Sequence, residues 1–373
     1  MREYLLTILL SAAICYLVTP FIKHAAEKFG AVAEIRDRDI HIKPTPRWGG
    51  VAMWIAISFT FVIVSNLPLV GQSFGREAQG IFLAATFITL LGLLDDRFQL
   101  DAITKLAGQA LAAGILLLYG IQVLWLPISG LIFLPPSIGQ LVTVLLVLIV
   151  INAVNFIDGL DGLASGVVAI AGFAFFVFAY VLAVVYGFDR AGAPSTITAV
   201  MIGACLGFLP HNVHPAKIFM GDSGSMLLGL LLATAAITLT GQVDPNAISD
   251  QKLGPTFLPL LLPFAVLAIP LADLLLAIIR RLRAGKSPFA PDKEHLHHRV
   301  MAAGNSQIRS AIILYIWTAA IAFPVTIWAF APLWVATLAG LALASIGMLI
   351  RSEEHTSELQ SHHDLVCRLL LEK

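Results

Sequence analysis

The feature that most constrains this chain is a series of eleven long apolar runs separated by short polar segments. A helix needs about 20 apolar residues to cross a bilayer. In lipid, backbone polar groups must be paired with one another, so such runs predict transmembrane α-helices. The predicted spans are 4–22, 51–70, 79–94, 102–119, 139–155, 162–187, 194–209, 223–240, 256–279, 310–328 and 332–350.

The composition supports this prediction. The chain is 58% hydrophobic and 12% charged, with a mean hydropathy of +0.88, whereas a soluble domain carries about 25% charged residues. We therefore predict an all-α, polytopic membrane protein with about eleven transmembrane helices. The net charge of zero gives no support for a nucleic-acid partner. The first run lacks a small-residue cleavage site, and the three cysteines indicate no disulfide framework.

The distribution of lysine and arginine predicts the orientation. Sixteen of these residues lie in or beside the loops that follow odd-numbered spans, four lie on the other side and three lie in the last segment. By the positive-inside rule the basic loops face the cytoplasm. The prediction is a multi-pass protein of the inner (plasma) membrane with its N-terminus outside.

Five polar islands occupy these basic loops, so we expect an active site at the cytoplasmic face. Carboxylates, an amide, a lysine and histidines at one membrane surface suggest metal-assisted phosphate chemistry on a lipid substrate. The islands are HIKPTPRWGG (41–50), GLLDDRFQLD (92–101), NAVNFIDGLDGLASG (152–166), HPAKIFMGDSGS (214–225) and APDKEHLHHR (290–299).

The adjacent carboxylates Asp95 and Asp96 repel each other unless a cation lies between them. Such a pair suits Mg²⁺, which binds through carboxylates and substrate phosphates. The alternative is that the acids cap a helix and merely end the span.

The third island combines Asn155, Asp158 and Asp161. In a helix, residues three apart share a face; if Gly159 and Gly162 break the helix, the backbone can approach a ligand closely. Acids at membrane depth favour a functional site, although solvation at the boundary would also explain them.

Asp222 begins a span in the sequence MGDSGS. It is a candidate metal ligand, and the helix N-terminus would attract phosphate. The alternative is that Asp222 or Ser223 caps the helix.

Three further features have weaker interpretations. His295, His297 and His298 are candidates for phosphate contact, with zinc binding or a solvated loop as alternatives. Lys43 and Arg47 could also contact phosphate or simply belong to the start of the second span. Asp273, inside an apolar run, either serves the chemistry or braces a neighbouring helix.

Together, the Asp pair, the NxxDGxDGLA string, GDSGS and HLHH resemble the polyprenyl-phosphate N-acetylhexosamine-1-phosphate transferase family, in its N-acetylglucosamine-1-phosphate branch. RDRDIHIKPTPRWGG and APDKEHLHHR are further similar to actinobacterial members that start cell-wall linker synthesis. The resemblance implies an eleven-helix enzyme that uses Mg²⁺ (or Mn²⁺). It would transfer a sugar-1-phosphate from a UDP-sugar to a polyprenyl phosphate and release UMP.

The resemblance also implies roles for individual residues. The catalytic candidates are Asp95, Asp96, Asp158, His295, His297 and His298. The substrate-binding candidates are Lys43, Arg47, Asn155, Asp161, Asn212 and Arg299. The metal-ligand candidates are Asp222, Asn155, Asp95 and Asp96. A homodimer is an additional hypothesis.

The final segment, RSEEHTSELQSHHDLVCRLLLEK, differs abruptly from the rest of the chain. It resembles the in-frame translation of a sequencing-library adapter. We therefore assign residues 1–350 to the membrane domain and interpret 351–373 as a non-native tail, with an ordinary polar tail as the alternative.

Two other functions remain open at this stage. A proton-coupled secondary transporter would use acids such as Asp158 near the bilayer midplane and often shows internal repeats. A lipid-pyrophosphate phosphatase would release free phosphate and not UMP.

Overall fold

The computed structural model describes residues 1–32, 45–73, 75–126, 132–185, 187–188, 191–242, 262, 264–283, 285, 296–302 and 304–349. Lys43, His295 and the tail 351–373 lie outside the described residues, and so do the side chains of His297 and His298.

The described residues form a helical bundle with one short β-hairpin. The helices are α1 (Arg2–Lys28), α2 (Gly49–Val64), α3 (Arg76–Phe98), α4 (Ala102–Leu118), α5 (Pro136–Ile157), α6 (Leu163–Tyr180), α7 (Gly192–Asn212), α8 (Gly221–Gln242), α9 (Ala268–Arg283), α10 (Leu296–Ala302), α11 (Gln307–Trp328) and α12 (Leu333–Leu349). Antiparallel strands β1 (Trp125–Leu126) and β2 (Ile132–Phe133) pair between α4 and α5.

The predicted fold class, an all-α polytopic membrane protein, is confirmed. Each of the eleven predicted spans overlaps one of these helices, and α10 is a short additional helix. Seven of the described helices are long and apolar enough to cross a membrane, and three more are shorter apolar helices. Some predicted bounds were wrong by a few residues. Because α3 continues to Phe98, Asp95 and Asp96 belong to its last turn and not to a following loop.

Helix α8 lies at the centre of the bundle. Its apolar window is 94% buried, against 22% for α1, and it packs against α2, α3, α5 and α7. Because other helices surround α8, it has no solvated side, and its residues are apolar all round the helix. Its N-terminus carries Asp222 into the middle of the surrounding helix ends.

Glycines allow the neighbouring helices to approach that N-terminus closely. A Cβ at Gly92 of α3 would overlap the backbone of Asp222 and Ser223, and a Cβ at Gly50 of α2 would overlap the backbone at Gly224. The α2 start is also hydrogen-bonded to the segment before α8, from Gly50 N to the Met220 carbonyl (2.9 Å). These contacts fix the position of the first turn of α8.

Helices α1 and α7 pack side by side in the same direction. Tyr16 lies beside His211, and a Cβ at Gly203 or Gly207 would overlap the backbone of α1 at Ile8 or Ala12. The pair Gly203 and Gly207 is a GxxxG motif, which lets membrane helices approach until their backbones touch. Parallel packing places the C-terminal ends of both helices at the same side of the bundle.

We expect Gly207→Leu to destabilise the protein because the added side chain must push α1 away from α7. Overpacking of this kind costs about 1–3 kcal/mol or more. The thermal midpoint in detergent, followed by intrinsic fluorescence, should fall clearly. Gly114→Leu is the matched control, since a Cβ at Gly114 of α4 meets nothing within 4 Å. Equal midpoints for the two variants would contradict this account of the α1–α7 contact.

Candidate active site

Four helix ends meet at one polar cluster. Its members are Asp95 and Asp96 in the last turn of α3, Lys105 in the first turn of α4, Asn155 near the end of α5 and Asp222 in the first turn of α8. The islands around Asp95, Asn155 and Asp222 are far apart in the sequence, and the structure brings them together as the sequence analysis anticipated.

The ammonium group of Lys105 bridges two carboxylates. Its Nζ lies 3.0 Å from Asp222 Oδ2 and also contacts Asp95 Oδ2. The side chain of Asp95 is only 2% exposed, whereas those of Asp222 and Lys105 are 29% and 30% exposed. The cluster therefore has a buried side at Asp95 and an accessible side at Asp222.

Asn155 orients the accessible carboxylate. Its Nδ2 donates hydrogen bonds to Asp222 Oδ1 (2.8 Å) and to Ser225 Oγ (2.8 Å). With Lys105 on one oxygen and Asn155 on the other, the plane of the Asp222 carboxylate is fixed.

Asp96 caps helix α8. Its Oδ1 accepts from Asp222 N (2.8 Å), and its Oδ2 accepts from Ser223 N (3.2 Å) and Ser223 Oγ (2.9 Å). A carboxylate at a helix N-terminus is favourable because it pairs with free N–H groups and with the positive end of the helix dipole. The cap of α8 is thus Asp96 of another helix, and the alternative of capping by Asp222 or Ser223 was wrong. The predicted metal and catalytic roles of Asp96 stay predictions.

Asp95 occupies the opposite, unfavourable position at a helix C-terminus. Two contacts compensate: its Oδ1 accepts from Leu100 N (2.8 Å), and its Oδ2 pairs with Lys105. The start of α4 is fixed in turn by Asp101, whose Oδ2 accepts from Ile103 N and Thr104 N. Hydrogen bonds from Thr104 lower the pKa of Asp101, which stays ionised and holds the turn that carries Lys105.

Lys105 was missed as a site residue in the sequence. The available signal was that it is the only charged residue in the run 102–119. A lone charge in an apolar span marks a functional position by default. It is near the span end, however, where a lysine can also reach the membrane surface.

Asp158 follows the last residue of α5 and is half-buried. Burial raises its pKa to about 8; the negative charges of Asp222 and Asp96 add to this shift, and the positive charge of Arg47 opposes it. Asp158 is therefore close enough to the cluster, and to Arg47, for charge interactions with both.

Asp161 and Asn212 connect two polar islands. Asp161 Oδ2 lies 2.7 Å from His214 Nδ1 and accepts from Ala216 N (3.1 Å). Buried Asn212 accepts from Gly162 N (3.1 Å) and donates to the Ile218 carbonyl (3.0 Å). Both side chains thus hold the 152–166 island to the 214–225 island, and their predicted contacts with substrate stay predictions.

Asp273 links α9 to α10. It is buried, and its Oδ1 accepts from Leu296 N (2.7 Å) at the first residue of α10. This contact favours the bracing interpretation. Leu296 also packs against a hydrophobic cluster whose members include Ile157 and Leu160, the residues just before Asp158 and Asp161. Arg299 is exposed on α10.

The donor set at the cluster fits Mg²⁺. Two carboxylates, Asp95 and Asp222, already converge on one cation, the ammonium of Lys105. Their oxygens and that of Asn155 are the hard ligands that Mg²⁺ prefers. Within the described residues no group of three or more His, Cys, Asp and Glu side chains is arranged for a metal. A magnesium site would therefore depend on two carboxylates, the amide and substrate oxygens.

The shifted pKa of Asp158 predicts a pH-dependent stability difference between wild type and Asp158→Asn. An ordinary aspartate has a pKa of about 3.9, so the folded protein binds this proton more tightly than the unfolded chain. The stability that the proton confers is lost as pH rises from about 4 to about 8. The thermal midpoint of Asp158→Asn minus that of wild type should increase across this range and stay constant at higher pH.

Asp101→Asn is the matched control for this experiment. Because the pKa of Asp101 is lowered, its ionised form confers stability that is lost only in acid. The difference in thermal midpoint between Asp101→Asn and wild type should therefore stay constant between about pH 5 and about pH 9. A constant difference for Asp158→Asn over the same range would contradict the proposed environment of that carboxyl.

The cluster lies within a region shared with known proteins. Residues 78–240 match the model of glycosyl transferase family 4. This range contains Asp95, Lys105, Asn155, Asp158 and Asp222. Given this match and the extent of the similarities that follow, the chain belongs to this family, and the resemblance predicted from the motifs is confirmed.

Its relatives define a more particular group. The chain is 44% identical over 330 residues to a decaprenyl-phosphate N-acetylglucosaminephosphotransferase of Mycolicibacterium smegmatis, covering 87% of this chain and 81% of the relative. It is 31% identical to a probable undecaprenyl-phosphate N-acetylglucosaminyl 1-phosphate transferase of Bacillus subtilis, over 80% and 78% of the two chains. It is 30% identical to an undecaprenyl-phosphate alpha-N-acetylglucosaminyl 1-phosphate transferase of Escherichia coli, over 84% and 82%.

Proposed function

We propose that this protein transfers N-acetylglucosamine-1-phosphate from UDP-N-acetylglucosamine to a polyprenyl phosphate. The products are a polyprenyl-pyrophosphoryl sugar and UMP, and the reaction depends on Mg²⁺ (or Mn²⁺). The observation that carries the proposal is that the Lys105 ammonium joins the carboxylates of Asp95 and Asp222. The relatives of this chain are named as transferases of this kind. The family membership argues against the secondary transporter.

The reaction brings two anions together. An oxygen of the polyprenyl phosphate forms a bond to the sugar-linked phosphorus of the diphosphate, and the bond from that phosphorus to the bridging oxygen breaks. UMP leaves with the electron pair. The second pKa of a phosphate monoester is about 6, so the nucleophile is largely ionised at neutral pH, and strong base catalysis is not required.

The side chains of the cluster suit this task because they control charge. The ammonium of Lys105 lowers the electrostatic repulsion at the accessible edge of the site, and Asn155 holds Asp222 in a fixed orientation. Asp222, with Asn155 and Asp95, would hold the magnesium ion, which supplies charge neutralisation on the diphosphate when bound. Asp95 would accept a residual proton from the attacking phosphate.

Arg47 would contribute positive charge beside Asp158, where the two already interact. Lys43, Arg299 and the histidines His295, His297 and His298 would contact the diphosphate. The lipid chain would lie along the bundle surface with its phosphate at the polar cluster.

The proposal includes the placement of the protein. The excess of lysine and arginine in the loops of the polar islands supports a cytoplasmic active site, an external N-terminus and a location in the plasma membrane. Self-association as a homodimer is a further hypothesis.

The direct test is a transfer assay with purified protein, labelled UDP-N-acetylglucosamine and polyprenyl phosphate. We expect a lipid-linked pyrophosphoryl sugar and free UMP in equal amounts, loss of turnover on chelation and recovery with Mg²⁺. Preference for UDP-N-acetylgalactosamine as competitor would indicate another N-acetylhexosamine. Release of inorganic phosphate from a lipid without UMP would indicate the phosphatase alternative.

Asp222→Asn and Asp95→Asn should each reduce turnover by at least about 100-fold, because each removes one of the charges that organise the site. The protein should remain inserted in the membrane. Glu77→Gln is the control, since Glu77 is a carboxylate at the other end of the helix that carries Asp95. Wild-type turnover in either aspartate variant would refute the assignment of the site.

Lys105→Met should also lower turnover by about 100-fold, because two converging carboxylates lose their shared cation. Lys105→Arg keeps the charge and should retain more activity than Lys105→Met. Measurement of kcat and KM for both variants checks this. If Lys105→Met and Lys105→Arg lose activity equally, charge at this position is not what matters.

A further inference from the structure

A pocket lined by several basic residues lies between the C-terminal ends of α1 and α7, separate from the aspartate cluster. It has a volume of about 240 Å³, and its lining includes Lys23, His24, His211, Lys217, Pro20 and Ile218. None of the lining residues belongs to the aspartate cluster itself, although Lys217 and Ile218 lie in the 214–225 island. The parallel packing of α1 and α7 brings these side chains together, since their C-terminal ends lie at the same side of the bundle.

The charged side chains that line the pocket are those of lysines. Two lysines and two histidines are among its lining residues, and the described lining contains no carboxylate. The acid that pairs with Lys23 is Glu27, at 3.8 Å, and its side chain is 46% exposed. An exposed ion pair of this kind contributes little to the free energy of folding, so Lys23 remains available to bind an anion.

The two histidines are held in fixed orientations. His24 Nδ1 lies 2.9 Å from the Pro20 carbonyl, and His211 Nε2 lies 3.1 Å from the Tyr16 carbonyl. A carbonyl oxygen only accepts hydrogen bonds, so these ring nitrogens carry hydrogen. His211 also lies beside Tyr16, with the two rings tilted by 33° and their centroids 4.8 Å apart. The walls of the pocket are therefore ordered by the helices themselves.

An apolar surface continues from the pocket along α1. Tyr16, Leu17 and Phe21 are 50%, 63% and 75% exposed on this helix, which is long and apolar enough to cross a membrane. In a bilayer such side chains face acyl chains. A ligand that fits both the basic pocket and the apolar surface of α1 has a phosphate group at one end and hydrocarbon chains attached to it.

We propose that this pocket binds the phosphate of an anionic lipid headgroup, with the acyl chains along the exposed face of α1. Lys23 and Lys217 bind the phosphate, and His24 and His211 shape the pocket around it. Free inorganic phosphate carries the same negative charge but has no hydrocarbon chains. The experiment below therefore compares inorganic phosphate with a phospholipid as the ligand.

The pocket also has a structural connection to the aspartate cluster. Lys217 N donates to the His211 carbonyl (2.9 Å), and the segment that continues from it to Asp222 is held by hydrogen bonds from Gly49 N to Phe219 O and from Gly50 N to Met220 O. A lipid at Lys217 would stabilise the segment that precedes the first turn of α8.

The test measures binding to the purified full-length protein by native mass spectrometry, with phosphatidylglycerol, phosphatidylcholine and inorganic phosphate as separate probes. Wild type should bind phosphatidylglycerol in preference to the other two. The double variant Lys23→Ala/Lys217→Ala should bind it about 30-fold more weakly, given the contribution of each lysine near an anionic lipid. Because no turnover is measured, this result is independent of the proposed enzymatic activity.

Two control proteins make the outcome specific. Lys28→Ala/Arg309→Ala removes the same charge from residues outside the pocket and should bind phosphatidylglycerol like wild type. Lys23→Arg/Lys217→Arg keeps the charge and should retain binding, which separates a lost site from a misfolded protein. Equal loss in the Lys28→Ala/Arg309→Ala protein, or inorganic phosphate binding as tightly as the lipid, would overturn the proposal.

Discussion

The polar cluster depends on one ion-bridged contact, in which the Lys105 ammonium joins Asp95 to Asp222. Two carboxylates packed among apolar helices would otherwise repel each other and lose the hydration that water provides. A shared cation converts that repulsion into an attraction between the last turn of α3 and the first turn of α8. The contact thereby links the position of the helices to the charge that the proposed phosphate chemistry needs.

Helix packing supplies the rigidity that this charge arrangement requires. Glycines at positions 50, 92 and 224 bring three helices to backbone contact around the start of α8. Fixed dipoles and charges stabilise a reaction best when they need not move as it proceeds. Close backbone packing at the site is therefore as relevant to the proposed function as the acidic side chains themselves.

Much of this arrangement could be predicted from the sequence. The eleven apolar runs predicted the helices because hydrophobic length in lipid leaves few other structures, and the order of the acidic motifs indicated the family. The positions of single side chains could not be predicted in this way. Lys105 was overlooked because a lysine near a span end is common, and the capping of α8 by Asp96 depends on a contact between residues 126 positions apart. Such contacts are set by tertiary packing, which no local pattern encodes.

The two neighbouring aspartates of α3 thus perform unlike tasks. Asp95 faces the lysine, whereas Asp96 points to the opposite helix and determines where that helix begins. Adjacent residues of one helix thus contact different partners, a lysine ammonium on one side and a helix N-terminus on the other. Because the two residues are adjacent, the start of α8, which carries Asp222, is held at a fixed position relative to Asp95, the acid that we propose takes part in the chemistry.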